Sequence, residues 1–170
     1  TIEGVMSGSS YQTFISSSNV GFTTSTTGTV TIQYLAVTVT STSGTFLTNT
    51  GAGDVELTAL SFTGSASETS PQTDALFVSS NGKLKLTSVV CQTINTAVPL
   101  ISITGALDLT TSTFNSILCT SAGPTVLELT PSSSSALSLT GSTFTDCGTT
   151  STTAGAIGCA IRLTLSAGGL

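Results

Sequence analysis

Residues 30–37 read VTIQYLAV, and the same order of apolar and polar positions returns as VELTALSF at 55–62, LKLTSVVC at 84–91, LDLTTSTF at 107–114 and LSLTGSTF at 137–144. In all five copies the first and third positions are Val, Leu or Ile, while the second is Thr, Glu, Lys, Asp or Ser. That is the period-two alternation of a strand with one buried face. The fourth position is Thr in four of the five copies and the eighth is Phe in three. A shorter alternating segment follows each copy: TFLTN (45–49), LFVSS (76–80), ISITG (101–105), LELTP (127–131) and IRLTL (161–165). The pattern predicts two short strands per unit.

The copies start 25, 29, 23 and 30 residues apart. A period in the twenties with loops of variable length marks a solenoid, in which one turn cannot bury its apolar face alone and must stack on the next. A β-meander or sandwich also has short strands and frequent turns. Recurrence of particular residues at fixed positions favours parallel stacking, because only there do equivalent residues lie directly on one another.

Composition agrees with this reading. The chain holds 36 Thr and 28 Ser among 170 residues, and charged residues are 6% of it, against roughly 25% in ordinary soluble domains. Disorder would need low hydrophobicity, whereas 38% of the residues are apolar and the mean hydropathy is +0.44. Thr, Val, Ile and Phe favour strands, Gly, Ser and Asn supply turns, and the formers of exposed helix are nearly missing. The expected fold is all-β, one domain, with an irregular N-terminal coil over 1–29 and repeats over 30–170 whose coils start near 30, 55, 84, 107 and 137.

The phrase L-x-L-T-x-S-x-F followed by Cys, then a Gly/Ser/Thr loop and a second L-x-L, resembles the coils of right-handed parallel β-helices of the pectate-lyase-like class. It is most similar to non-enzymatic repeats of microbial and protist surface proteins, where S-T-F-x-x-C recurs. The resemblance covers residues 30–170 and implies about five to six coils. LSAGGL at 165–170 reads like the opening of another coil, so a segment of a longer stack is expected.

Charge narrows the partners. The net charge is −5 and the cations are Lys83, Lys85 and Arg162, too few to neutralise a nucleic-acid backbone. No run approaches eighteen apolar residues, so no membrane insertion is expected, and TIEGVMSG has neither region of a signal peptide. The absence of an initiator Met points to a mature product or a piece of a longer one.

Cys91, Cys119, Cys147 and Cys159 contain no C-x-x-C pair and the chain has no His, which argues against a zinc site. Buried thiols or disulfides in an oxidising compartment both fit. Cys119 and Cys147 follow the Phe of adjacent coils and are the candidate staple, although three connectivities are open for four cysteines.

Stacking places outward residues of successive coils roughly 4.8 Å apart. One column then runs Thr31, Glu56, Lys85, Asp108, Ser138, and another Phe46, Phe77, Ser102, Glu128, Arg162. Glu56, Lys85 and Asp108, and Glu128 with Arg162, read as structural charge pairs that favour register. Phe62, Cys91, Phe114 and Phe144 read as an interior or corner stack, and Thr58, Thr87, Thr110 and Thr140 as a hydroxyl ladder. Phe14, Phe46 and Phe77 are either buried or form an outward aromatic strip able to bind a glycan or a partner.

Catalysis is not expected, and no catalytic or metal-ligating residue and no cofactor is assigned. Of eight carboxylates only Asp54 and Glu56 lie close in sequence, and no Ser-His or Cys-His relay can be built. The T-x-T triplets are too irregular for a lattice-matched ice-binding face: 111–113 fills positions five and seven of its repeat, and 143–145 fills seven and nine. The function expected is an extracellular or cell-surface structural or adhesive solenoid, self-associating end to end or laterally into a filament or scaffold. A carbohydrate-binding or carbohydrate-active β-helix and an ice-binding solenoid are the alternatives. O-linked sugars could occupy the Ser/Thr loops at 23–29, 132–135 and 149–153.

Overall fold

Val30, Val55, Leu84, Leu107 and Leu137, the first residues of the five repeats, are consecutive partners in one parallel sheet. The computed structural model describes residues 21–40, 43–64, 71–124, 126–130, 136–153, 156 and 160–163 in full, and the backbone of 2–3, 6–7, 10–11 and 14–16. Its three parallel sheets wind the chain into a β-solenoid of about four turns.

The first sheet stacks Ile2–Glu3, Val30–Gln33, Val55–Thr58, Leu84–Thr87, Leu107–Thr110 and Leu137–Thr140. The second stacks Phe14–Ser16, Ala36–Thr38, Ser61–Thr63, Val90–Thr96, Thr113–Cys119 and Thr143–Thr145, with Gly148–Thr149 also paired to Thr113–Cys119. The third stacks Phe22–Thr24, Leu47–Asn49, Phe77–Ser79, Ile101–Ile103, Leu127–Leu129 and Ile161–Leu163. Residues 30–129 thus form turns flanked by a further strand level on both sides. Strands within 1–29 join all three sheets, and a short antiparallel pair, Met6–Ser7 with Ser10–Tyr11, lies between the first two of them.

Each turn therefore has three strands where the hydrophobic pattern predicts two. The eight-residue repeat is not one strand, because its fifth residue is left-handed in every copy: Tyr34 (φ 59°), Ala59 (49°), Ser88 (53°), Thr111 (47°) and Gly141 (59°). Such a conformation costs an L-residue roughly 1–2 kcal/mol. The bend is held from the next turn. The amides of Tyr34, Ala59, Ser88 and Thr111 donate to the carbonyls of Thr58, Thr87, Thr110 and Thr140 at 3.1, 2.9, 2.9 and 2.8 Å. Positions one to four thus belong to the first sheet and six to eight cross into the second.

The core is a set of columns. Ile32, Leu57, Leu86 and Leu109 stack from the first sheet, and Val37, Phe62, Cys91 and Phe114 from the second. Leu47, Phe77, Ile101 and Leu127 complete it from the third, and all twelve are buried. The corner returning from the third sheet to the first is closed by backbone proximity. A β-carbon on Gly82 would stand 2.0 Å from the Gly53 carbonyl oxygen, and one on Gly53 2.1 Å from that of Gly28. Asn49, buried at this corner, accepts from the Gly51 amide at 3.1 Å and donates to the Gly53 carbonyl at 3.0 Å.

Candidate functional site

The two charge columns lie where alternation puts them. Lys85 is the register partner of both Glu56 and Asp108, and Glu128 that of Arg162. Lys85 Nζ is 3.7 Å from Glu56 Oε1, and Arg162 forms an ion pair with Glu128. Asp108 instead accepts the Thr110 hydroxyl within its own strand, at 3.1 Å. Around two-fifths of the Lys85 and Glu56 side chains is exposed, so that pair contributes at most about 1 kcal/mol.

Asp54 and Glu56 do not act as a pair. Glu56 faces Lys85, while Asp54 Oδ1 accepts the Lys83 amide of the next turn at 3.1 Å. Asp74 Oδ2 likewise accepts the Gly44 amide, at 2.9 Å. Among the described residues no group of three or more Cys, Asp or Glu side chains is placed to hold a metal ion.

The aromatic strip is corrected by the register. Phe77 pairs with Leu47, not with Phe46, and both Phe46 (3% exposed) and Phe77 (fully buried) point into the core. The pattern of TFLTN and LFVSS alone sets them one residue out of step, and a one-residue slip exchanges the faces of a strand. Phe46 joins Phe22, Phe62 and Phe77 in an edge-to-face cluster with ring centroids 4.8–6.2 Å apart. Phe14 belongs to a different sheet, where its partner is Ala36, and its side chain lies outside the described residues. The outward column of the third sheet is Thr23, Thr48, Val78, Ser102, Glu128 and Arg162.

The candidate staple is corrected as well: Cys91, Cys119 and Cys147 are free thiols. Cys119 pairs with Thr149, and its sulfur is 3.0 Å from the Ser121 hydroxyl. Leu118 pairs with Gly148, so Cys147 lies level with Ile117 and its thiol donates to the Phe114 carbonyl at 3.4 Å. Cys159 lies outside the described residues. Burial pushes the Cys91 thiol far above the usual range, with Cys147 adding to the shift. Burial also raises Cys147, with neighbouring Asp146 adding and backbone hydrogen bonds opposing. Neither thiol is a ready nucleophile, since reactivity belongs to the thiolate.

Phe62, Cys91 and Phe114 form the interior stack expected of the eighth position, and Phe144 caps it half-buried, its ring 5.1 Å from that of Phe114 and nearly parallel to it. Thr58, Thr87, Thr110 and Thr140 share one outward column. The T-x-T triplets stay out of step: Thr113 pairs with Thr143, while Thr111 sits at the left-handed corner.

Two features carried no sequence signal strong enough to single out. One is the left-handed corner, whose occupants include a single Gly. The other is hydroxyls bonded across turns: Thr50 to the Thr24 carbonyl, Ser80 to Asn49, Thr104 to Ser80, Thr120 to Thr96 and Thr149 to Cys119. Ser112 is buried and bridges the Leu86 carbonyl and the Val89 amide, each at 3.2 Å. The side-chain chemistry of the stack is thus directed mainly along its axis, turn to turn.

The last described level differs from those beneath it. Leu139 continues the column Ile32, Leu57, Leu86, Leu109, all fully buried, yet is 43% exposed. Leu163 continues the column of Ile103 and Leu129, each 1% exposed, and is 46% exposed. Family models, curated proteins and solved structures were compared with the chain, and none matches.

Proposed function

We propose that this chain is a structural or adhesive β-solenoid of the cell exterior, a scaffold element that works without catalysis. The supporting observation is where its few charges and its many hydroxyls are directed. Of the charged side chains, Glu56, Lys85, Glu128 and Arg162 pair across turns, and Asp54 and Asp74 hold amides of neighbouring turns. Hydroxyls bond to carbonyls one turn away. Such an allocation maintains a rod rather than concentrating acid, base and cation in a cleft. The Ser/Thr-rich, charge-poor composition and the resemblance to surface-protein repeats support an exterior location.

Two measurements test this. Protease treatment of intact source cells should remove the chain or its peptides, whereas protection until lysis would contradict an exterior location. Incubation with acidic and neutral polysaccharides, with and without Ca²⁺, should release no reducing ends and no unsaturated products; turnover would make it an enzyme.

A further inference from the structure

We propose that Asn81 is a latent site of spontaneous deamidation, closed to the reaction while the turns are stacked and open to it whenever this corner comes apart. The inference stands independently of the scaffold reading. Asn81–Gly82 is the single Asn-Gly pair in the chain. Glycine has no β-carbon to shield the amide that follows asparagine, so its nitrogen can attack the side-chain carboxamide. A bond forms between the Gly82 nitrogen and Asn81 Cγ, the Cγ–Nδ2 bond breaks, and ammonia leaves with the amide proton. Water then opens the succinimide at either carbonyl, leaving aspartate or isoaspartate at position 81 and an added negative charge. The Asn81 side chain is exposed, so water is not the obstacle.

The obstacle is the stack, which ties up both reacting groups. The Gly82 amide donates to the Gly51 carbonyl at 3.1 Å, and Asn81 Nδ2 donates to the Thr50 carbonyl at 2.9 Å, both in the turn below. Cyclisation needs the first bond broken to free the nitrogen and the second to free the carboxamide. It also needs the main chain between them to rotate, and that is blocked from the turn above. A β-carbon on Gly105 would stand 2.3 Å from the Gly82 oxygen and 2.7 Å from the Asn81 oxygen. The residues before the other three corner glycines are Thr27, Ala52 and Thr104, none of which carries a carboxamide. The products do not fit the closed corner. Isoaspartate adds a main-chain atom and sets a carboxylate where the Asn81 carbonyl now lies against Gly105, and aspartate sets a carboxylate oxygen against the Thr50 carbonyl. A corner that opens and reacts therefore closes less tightly afterwards, so the conversion is a permanent record of opening.

The test holds the 170-residue chain at mildly alkaline pH in buffer, in a series of sub-denaturing urea concentrations and in full denaturant. Mass spectrometry of proteolytic peptides reads the aspartate and isoaspartate formed at position 81. Conversion in buffer should be at least about tenfold slower than in full denaturant, because it waits on local opening, and it should climb through the urea series. N81Q, whose longer side chain cyclises far more slowly, should lose the fast product in denaturant. Converted molecules from the urea series, separated by their added charge and returned to buffer, should be cut by a broad-specificity protease faster than unconverted molecules treated alike. Equal conversion in buffer and in denaturant, no conversion at position 81 in denaturant, or equal protease sensitivity of converted and unconverted molecules would overturn the inference.

Discussion

At Gly82 the tightness of the turn-to-turn contact can be read from one atom. Its missing β-carbon is replaced by the Gly53 carbonyl oxygen, and its amide donates to the Gly51 carbonyl at 3.1 Å. Gly82→Ala pushes on backbone that is pinned from below, and should cost about 1–3 kcal/mol, as overpacking does. Gly148 is the matched comparison, because a β-carbon there meets nothing within 4 Å; Gly148→Ala should stay within about 0.5 kcal/mol of the parent. Urea unfolding of both variants checks the pair, and equal stabilities would mean that the corner is looser than described. The glycine pattern was not legible in the sequence. Gly28, Gly53, Gly82 and Gly105 each stand two residues before a repeat, but glycine is also ordinary loop punctuation.

Among the elements, the first strand of each turn was fully legible and the third was not. V/L-x-L/I-T repeats strongly enough to fix register at Val30, Val55, Leu84, Leu107 and Leu137, and through it the Glu56–Lys85 pair. The third strand is three residues long, so an alignment of TFLTN with LFVSS can slip by one and turn the core inside out. The left-handed corner hid for another reason: its bend is stabilised by carbonyls of the adjacent turn, which no local pattern reports. Phe77→Ser distinguishes the two registers. Buried as it is, it should lose about 3–5 kcal/mol, the scale of removing a core Phe. Val78→Ser, on the outward side of the same strand, should change stability by less than about 1 kcal/mol. Equal, small losses in thermal unfolding would restore Phe77 to the surface and with it the aromatic strip.

For the molecule as a whole, the repeat pattern predicts a stack, and the stack explains why so much Ser and Thr is compatible with a positive mean hydropathy. Inward columns carry the apolar residues, and many hydroxyls bond along the axis rather than to distant parts of a fold. The proposed scaffold role depends on successive turns being parallel and in register. The most direct measurement is the distance between Ala36 and Thr143, outward residues of one column linked through Ser61, Val90 and Thr113. Nitroxides carried on genetically encoded residues at these two sites leave the native thiols untouched, and pulsed electron resonance reads their separation. Four steps of the strand spacing predict a distribution centred near about 19 Å, broadened by the label arms. A distribution lying wholly beyond twice that distance would contradict the solenoid and the functional account built on it.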